Sequence, residues 1–286
     1  MLAISESTEA VGRMVERRGA LEPALAGMLA AALDHPAAPM PSVDDGAPMP
    51  PLWHWAAFPE FVPMDEIGHD GHPKLGRFLP ALPLERRMWA GGRLCFEGVL
   101  RIGEPLHRRS EILAVDVKEG AGGAMVFVRV GHRIEGAAGA IEEEQDIVYL
   151  PMPDRFRPPK PTPAPKGTAF GETVAMDTVR LFRFSAATYN AHRIHYDLPY
   201  ATEVERYPAL VVHGPMQAAL LIEAACRHTG RLPRRFIFRG VHPMFHDHAL
   251  RLVGETAAEG DEAKLCTAAP LAAGGHCGLV ASIGWA

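Results

Sequence analysis

From Met88 to Leu150 the chain alternates apolar and polar residues in strand-length runs. GGRLCFEGVLRIGEP, SEILAVDVKEG, AMVFVRVGHRI and EEEQDIVYLP are rich in Val, Ile, Leu and Phe, and the Gly-bearing turns EGAGGA and EGAAGA separate the last three. Short runs of that period with such turns predict an antiparallel meander. The pattern breaks at PMPDRFRPPKPTPAPKGT, Pro151 to Thr168, where seven prolines predict a semi-rigid, partly polyproline linker. Beyond it, Val179 to Phe184 predicts a strand running into a short helical turn. GPMQAALLIEAACRHTG then predicts a helix. Gly214 and Pro215 open it, Met216, Ala219, Leu220 and Ala224 give it an apolar face, and Gly230 sits past its end. RRFIFRGV, ALRLVGET, AKLCTAAPL and GLVASIGWA return to strands. Upstream of the meander, Ser7 to Leu33 predicts two short helices punctuated by Gly19 and Pro23, and Pro36 to Pro51 predicts an exposed loop. The expected organisation is a first unit over 1–150, a linker over 151–172 and a second unit over 173–286. One apolar helix facing a curved antiparallel sheet is an α+β layer arrangement.

Composition narrows the function classes. A chain of 286 residues with 48% hydrophobic residues can bury a large core, and a net charge of −5 argues against a dedicated nucleic-acid partner. The most apolar stretch, Ala24 to Leu33, is too short to span a bilayer, and the start has no basic, apolar leader. Cys95, Cys226, Cys266 and Cys277 form no paired motif, so the expectation is free thiols in a reducing, cytoplasmic setting.

Candidate chemistry gathers in about 30 residues. One segment reads Tyr189-Asn190-Ala191-His192-Arg193-Ile194-His195-Tyr196-Asp197, and the next reads Val211-Val212-His213-Gly214-Pro215. The first N–H groups of a helix lack intrahelical acceptors, and its dipole adds partial positive charge. Gly214 can therefore bring an N–H close to a carbonyl oxygen on which negative charge develops. Histidine near its ordinary pKa can take a proton from water and return it, which makes His195 the candidate acid–base group. Tyr189 and His213 flank the two as candidate substrate-binding residues, His213 with the plainer reading of packing beside the helix start. In PLWHWAAFPEFVP, Trp53, Trp55, Phe58 and Phe61 read either as core or as the wall of an apolar pocket.

HRIHYD followed by the VVHGP helix start resembles the MaoC-like, (R)-specific enoyl-CoA hydratase family. The resemblance implies the hot-dog fold, a long helix wrapped by an antiparallel sheet, and a hydratase or dehydratase acting on an acyl thioester. The family motif reads approximately Asp-x-Asn-Pro-x-His-x-Asp, then Ile-x-His-Gly. Its catalytic histidine falls on His195, its following acid on Asp197 and its oxyanion-hole glycine on Gly214. Its catalytic aspartate falls on Asn190, and its Asn and Pro fall on His192 and Arg193. Asparagine orients water but cannot accept its proton, so the resemblance implies that His195 handles both proton transfers while Asn190 positions the water. RRMWAGGRLCFEGVLRIGE, RRSEILAVDVKEG and EEEQDIVYLP resemble the non-catalytic first unit of a double hot-dog subgroup. That subgroup includes mesaconyl-C4-CoA (3-methylfumaryl-CoA) hydratases, itaconyl-CoA hydratases and mitochondrial-type 3-hydroxyacyl thioester dehydratases.

The arginines then acquire candidate roles. Arg86, Arg87 and Arg93 flank Trp89; they read either as strand-edge charges or as partners of a free carboxylate on the acyl chain. Arg234 and Arg235, with Arg227 and Arg239, read as solvated charges or as contacts to CoA phosphates. His192 and His195 stand three apart, and His246-Asp247-His248 lies further on. No open three-ligand set is evident, so neither a metal nor a separate cofactor is expected. The expectation is a double hot-dog hydratase of a branched C5 dicarboxylic acyl-CoA, with a homodimer left open. A 3-hydroxyacyl-ACP dehydratase and a non-catalytic thioester-binding protein are the alternatives.

Overall fold

The computed structural model describes residues 6–34, 41–120, 123–165, 169–255, 262–269 and 275–286. Five strands belong to each half: β1 (Met14–Gly19), β2 (Arg86–Gly98), β3 (Leu106–Gly120), β4 (Gly123–Glu135) and β5 (Gly139–Leu150), then β6 (Phe170–Val174), β7 (Pro233–Gly240), β8 (Leu250–Glu255), β9 (Glu262–Ala268) and β10 (Cys277–Trp285). They form one antiparallel ten-stranded sheet in the order β1-β3-β4-β5-β2-β7-β10-β9-β8-β6. Counted from its outer edge, each half repeats the same order, so the sheet has a pseudo-two-fold at the β2·β7 seam. That seam pairs Gly91 with Arg239 through Cys95 with Arg235.

The second half carries the long central helix of a hot-dog. In α3 (Gly214–Thr229), residues Met216–Ile222, Ala224 and Ala225 are all buried, because the helix is enclosed on nearly every side. Gly230 ends it in a left-handed turn (φ 67°) and donates its N–H to the Cys226 carbonyl at 2.8 Å. The first half has a shorter helix, α1 (Pro23–Leu33), Ala-rich and opened by a proline, which packs against α2 (Thr178–Ala187) of the second half. One apolar core runs through both halves and includes Trp53, Leu94 and Ile134 with Leu181, Leu220 and Phe236. Trp53 Nε1 donates to Glu223 Oε1 on α3 at 2.6 Å, so a turn of the first half is pinned to the central helix of the second.

Three expectations need correction. The first predicted helix is instead a short 3-10 turn followed by strand β1, paired with β3 from Met14 opposite Glu111 to Gly19 opposite Leu106. An open sheet edge outweighed a weak local helix pattern. Val179 to Phe184 is helical: Asp177 Oδ1 accepts the Arg180 N–H at 2.7 Å, and Leu181, Phe184 and Ser185 are buried at helical spacing while Val179 and Phe182 stay exposed. Cys266 and Cys277 are not free thiols; they are joined as a disulfide between neighbouring strands β9 and β10, whereas Cys95 and Cys226 remain free. Part of the predicted loop, residues 36–40, lies outside the described residues.

Candidate active site

The His195 segment and the helix start meet through the backbone. Val211 donates its N–H to the Ile194 carbonyl at 3.0 Å, and His195 Nδ1 lies 2.7 Å from the Val211 carbonyl oxygen. A carbonyl can only accept, so Nδ1 carries the proton and Nε2 is left as the ring's basic nitrogen. Burial, and then the neighbouring His192, hold the His195 ring down to about 3, so it is neutral near pH 7. His213 lies behind it, fully buried, its ring stacked on His195 with centroids 3.6 Å apart and its Nε2 2.8 Å from Ser185 Oγ.

His195, Asn190 and Gly214 share the wall of a cavity of about 1060 Å³. This is at the upper end of the usual range for ligand pockets, large enough for an acyl chain together with part of its carrier. Gly214 is the first residue of α3, in the cavity lining, and nothing lies within 4 Å of where a Cβ would stand, so open space adjoins the residue. Asn190 caps the end of α2 with its backbone N–H on the Ser185 carbonyl at 2.8 Å, and its Oδ1 accepts the His192 N–H at 3.0 Å. Its oxygen is therefore engaged, and its amide nitrogen is the group left to donate to a water.

Residues from the first half and the linker complete the cavity, among them Arg86, Arg87, Trp89, Gln145, Arg155 and Phe156. Arg86 is engaged: its Nε lies 3.2 Å from Glu205 Oε2, and Nη2 donates to the Tyr207 hydroxyl. Arg87 Nε stands 3.8 Å from Asp70 Oδ2, beyond hydrogen-bond distance. Gly71 makes the neighbouring loop possible. Its φ is 92°, and a Cβ there would sit 1.9 Å from the Ala191 carbonyl oxygen. That close approach sets the His72 ring 4.5 Å from His192. His192 Nε2 is 3.3 Å from Glu205 Oε1, and both groups are buried. Donor atoms of Asp70, His72 and His192 lie within 4.8 Å of one another, which is compact enough for a cation, but the Arg87 guanidinium already supplies positive charge beside Asp70.

The other candidates sit elsewhere. Arg93 is tied to Glu144 at 3.0 Å and Asp146 at 2.8 Å, away from the cavity lining. Arg235 pairs with Glu262, and Arg234 is exposed; neither lines the cavity. Trp55 backs the wall, packing edge-on against Trp89 at 4.8 Å and donating to Glu143. Tyr189 is turned outward against Phe61, and His213 supports the His195 ring without reaching the lining. Asp197 pairs with Arg193 and accepts the Tyr200 N–H, which makes it a local brace. Residues that the sequence motif does not single out include His72, Glu205, Tyr207, Arg155 and Arg157, all in the lining.

Residues 52–246 match the family of hydroxyacyl-thioester dehydratases type 2. The chain is 45% identical over 232 residues to the mesaconyl-C(4)-CoA hydratase of Chloroflexus aurantiacus, covering 78% of this chain and 80% of that protein. It is 25% identical over 240 residues to the mitochondrial hydroxyacyl-thioester dehydratase type 2 of Schizosaccharomyces pombe, covering 72% and 78%. Its fold matches a Mycobacterium tuberculosis protein described as a double hotdog, with a TM-score of 0.60 at 12% identity, over 100% of this chain and 99% of that one. The chain belongs to the hydroxyacyl-thioester dehydratase type 2 family and has the double hot-dog fold. It is a hydro-lyase, which removes the non-catalytic alternative.

Several buried histidines give the fold a pH dependence. Burial holds His195 down to about 3 and His132 down to about 4, and it lowers His72 and His213 well below their ordinary value. Their folded values lie below the unfolded value, so their contribution is complete above about pH 6.5 and falls away as acid protonates the unfolded chain first. Glu223, pushed up to about 7 by burial, acts in the opposite direction and offsets one of them. The expected slope is about 1.4 kcal/mol per pH unit for each uncompensated ring. The Tm should fall steadily between pH 7 and pH 5 in a calorimetric series; a flat Tm over that interval would contradict burial of neutral rings.

Proposed function

We propose that the protein adds water reversibly to an α,β-unsaturated acyl-CoA whose acyl group carries a second, free carboxylate. The favoured substrate is a branched C5 dicarboxylic thioester, mesaconyl-C4-CoA, giving citramalyl-CoA; itaconyl-CoA, whose double bond lies β,γ to the thioester, gives the same product only after that bond shifts to the α,β position. The observation that carries this reading is Arg87: a cation in the cavity wall whose nearest acid, Asp70, stands 3.8 Å away. Asp70 already offsets part of that charge from 3.8 Å; a substrate carboxylate can in addition accept two of the guanidinium N–H groups, which a plain fatty acyl chain cannot. The likeness to a mesaconyl-C(4)-CoA hydratase supports the same substrate class.

In this mechanism Gly214 N–H and the start of α3 hold the thioester oxygen and stabilise the enolate that forms on it. Asn190 donates its amide N–H to the incoming water, and neutral His195 Nε2 takes the water's proton as oxygen bonds to the β-carbon. No helix of the described residues is long and apolar enough to cross a membrane; the reading places the enzyme in the cytoplasm. The test is turnover of crotonyl-CoA, mesaconyl-C4-CoA, itaconyl-CoA and an acyl-carrier-protein crotonyl thioester, followed by mass spectrometry. Preference for a dicarboxylic CoA ester is expected. Preference for the carrier-protein crotonyl ester would favour the fatty-acid dehydratase reading instead.

A further inference from the structure

We propose that His192 and Glu205 form a second proton-transfer pair in the cavity, taking the place of the carboxylate that the family motif puts at position 190. The inference rests on the hydro-lyase reading of this site but not on the choice of acyl group.

Position 190 holds an amide, and its oxygen is occupied by the His192 N–H at 3.0 Å. It can neither accept nor deliver a proton in the reaction. His195 can accept one, but burial makes its cation costly, so the proton it takes from water must move on quickly. The His213 ring stacked on His195 does not reach the lining, so the acceptor on the cavity side is the ring of His192. It lines the same cavity, and its centroid lies 5.4 Å from that of His195 with the rings at 86°. Its Nε2 is 3.3 Å from Glu205 Oε1, inside a shell where His192 is 5% exposed and Glu205 is 1% exposed. A histidine N–H directed at a buried carboxylate is the arrangement that stabilises an imidazolium and leaves the opposite nitrogen, here Nδ1, to exchange protons. Arg86, bound to the other Glu205 oxygen at 3.2 Å, fixes the carboxylate in that position. Glu205 is a positioning residue in this scheme, and His192 is the group that meets the substrate.

The protons balance as follows. In the hydration direction His192 begins as the cation, with Glu205 as its counter-ion. His195 Nε2 removes one proton from water while the water oxygen bonds to the β-carbon and the π electrons move onto the thioester carbonyl. The enolate collapses, and its α-carbon takes the Nδ1 proton of His192. The proton now on His195 passes to His192, which restores both rings with one water consumed. No oxidant, metal or further reactant is required. The groups facing His192 are Glu205 with Arg86 behind it, His72 with Asp70 and Arg87, and His195 with His213 behind it.

The experiment measures kcat and KM against pH for His192→Gln, Glu205→Gln and Glu205→Asp, using whichever of the enoyl-CoA esters the wild type hydrates. A wrong assignment of the acyl group therefore leaves the result unaffected. His192→Gln is expected to lower kcat by about 10²–10⁴-fold with KM within a few-fold of wild type. Glu205→Gln is expected to lower kcat and to move the alkaline limb of its pH profile to lower pH, because the His192 cation loses its counter-ion; Glu205→Asp should restore part of both. If Glu205→Gln fails to fold because Arg86 is left unpaired, His192→Gln alone decides, since it leaves the Arg86–Glu205 pair in place. Activity of folded His192→Gln within threefold of wild type would overturn the proposal. So would a Glu205→Gln enzyme with reduced kcat and an unmoved alkaline limb.

Discussion

Replacing His195 with glutamine is expected to lower kcat/KM for hydration by about 10²–10⁴-fold while the protein stays folded. Glutamine approximates the length of the ring, and its amide N–H can still reach the Val211 carbonyl that His195 binds at 2.7 Å. It removes only the basic nitrogen. The stacked His213 ring keeps its own bond to Ser185, so the support behind the site survives. Rate and thermal unfolding should therefore separate: activity lost, with a Tm near wild type. A folded variant of near wild-type rate would mean that some other group takes the proton from water, and the role given to His195 would fall.

The second large effect concerns Arg87. Arg87→Met should cost a dicarboxylic substrate about 2–5 kcal/mol, a loss of roughly 30-fold to several thousandfold in kcat/KM, because it removes one partner of a desolvated charge pair. Crotonyl-CoA has no such charge and should lose little. Arg87→Lys keeps the charge but not the planar fork, so it should fall between the two. Arg93→Met, by contrast, removes a side chain already committed to Glu144 and Asp146 outside the cavity lining and serves as a control. Equal losses on both substrates for Arg87→Met would assign Arg87 to packing or to the carrier, not to the acyl carboxylate.

What could be read in advance followed from how local each signal was. The central helix and its HG start are carried by contiguous residues, and the strands of the meander by an unbroken alternation, so both were legible. Strand β1 was not, because its partner β3 lies about 90 residues away and only the open edge makes MVERRG extended. The strand pattern of Val179 to Phe184 was misleading because a single capping residue, Asp177, decides for helix. Among the arginines, residue type gave the chemistry but not the face. Arg87 points into the cavity, and Arg93, six residues further along β2, lies off its lining. The pairing of His192 with Glu205 depends on a loop returning across 13 residues and on Arg86 arriving from the other half, and neither is a property of the motif. The Pro-rich segment read as a spacer, yet Pro151 to Arg157 line the cavity.

The seam between β2 and β7 joins two halves of one polypeptide. The two walls of the cavity cannot drift apart on dilution, so opening it is a unimolecular event and does not depend on protein concentration. A substitution in a symmetric pair of identical subunits changes both walls at once; here a change in β2 touches one wall alone. The half that binds could diverge in charge and shape while the half that performs the proton transfers stayed unaltered.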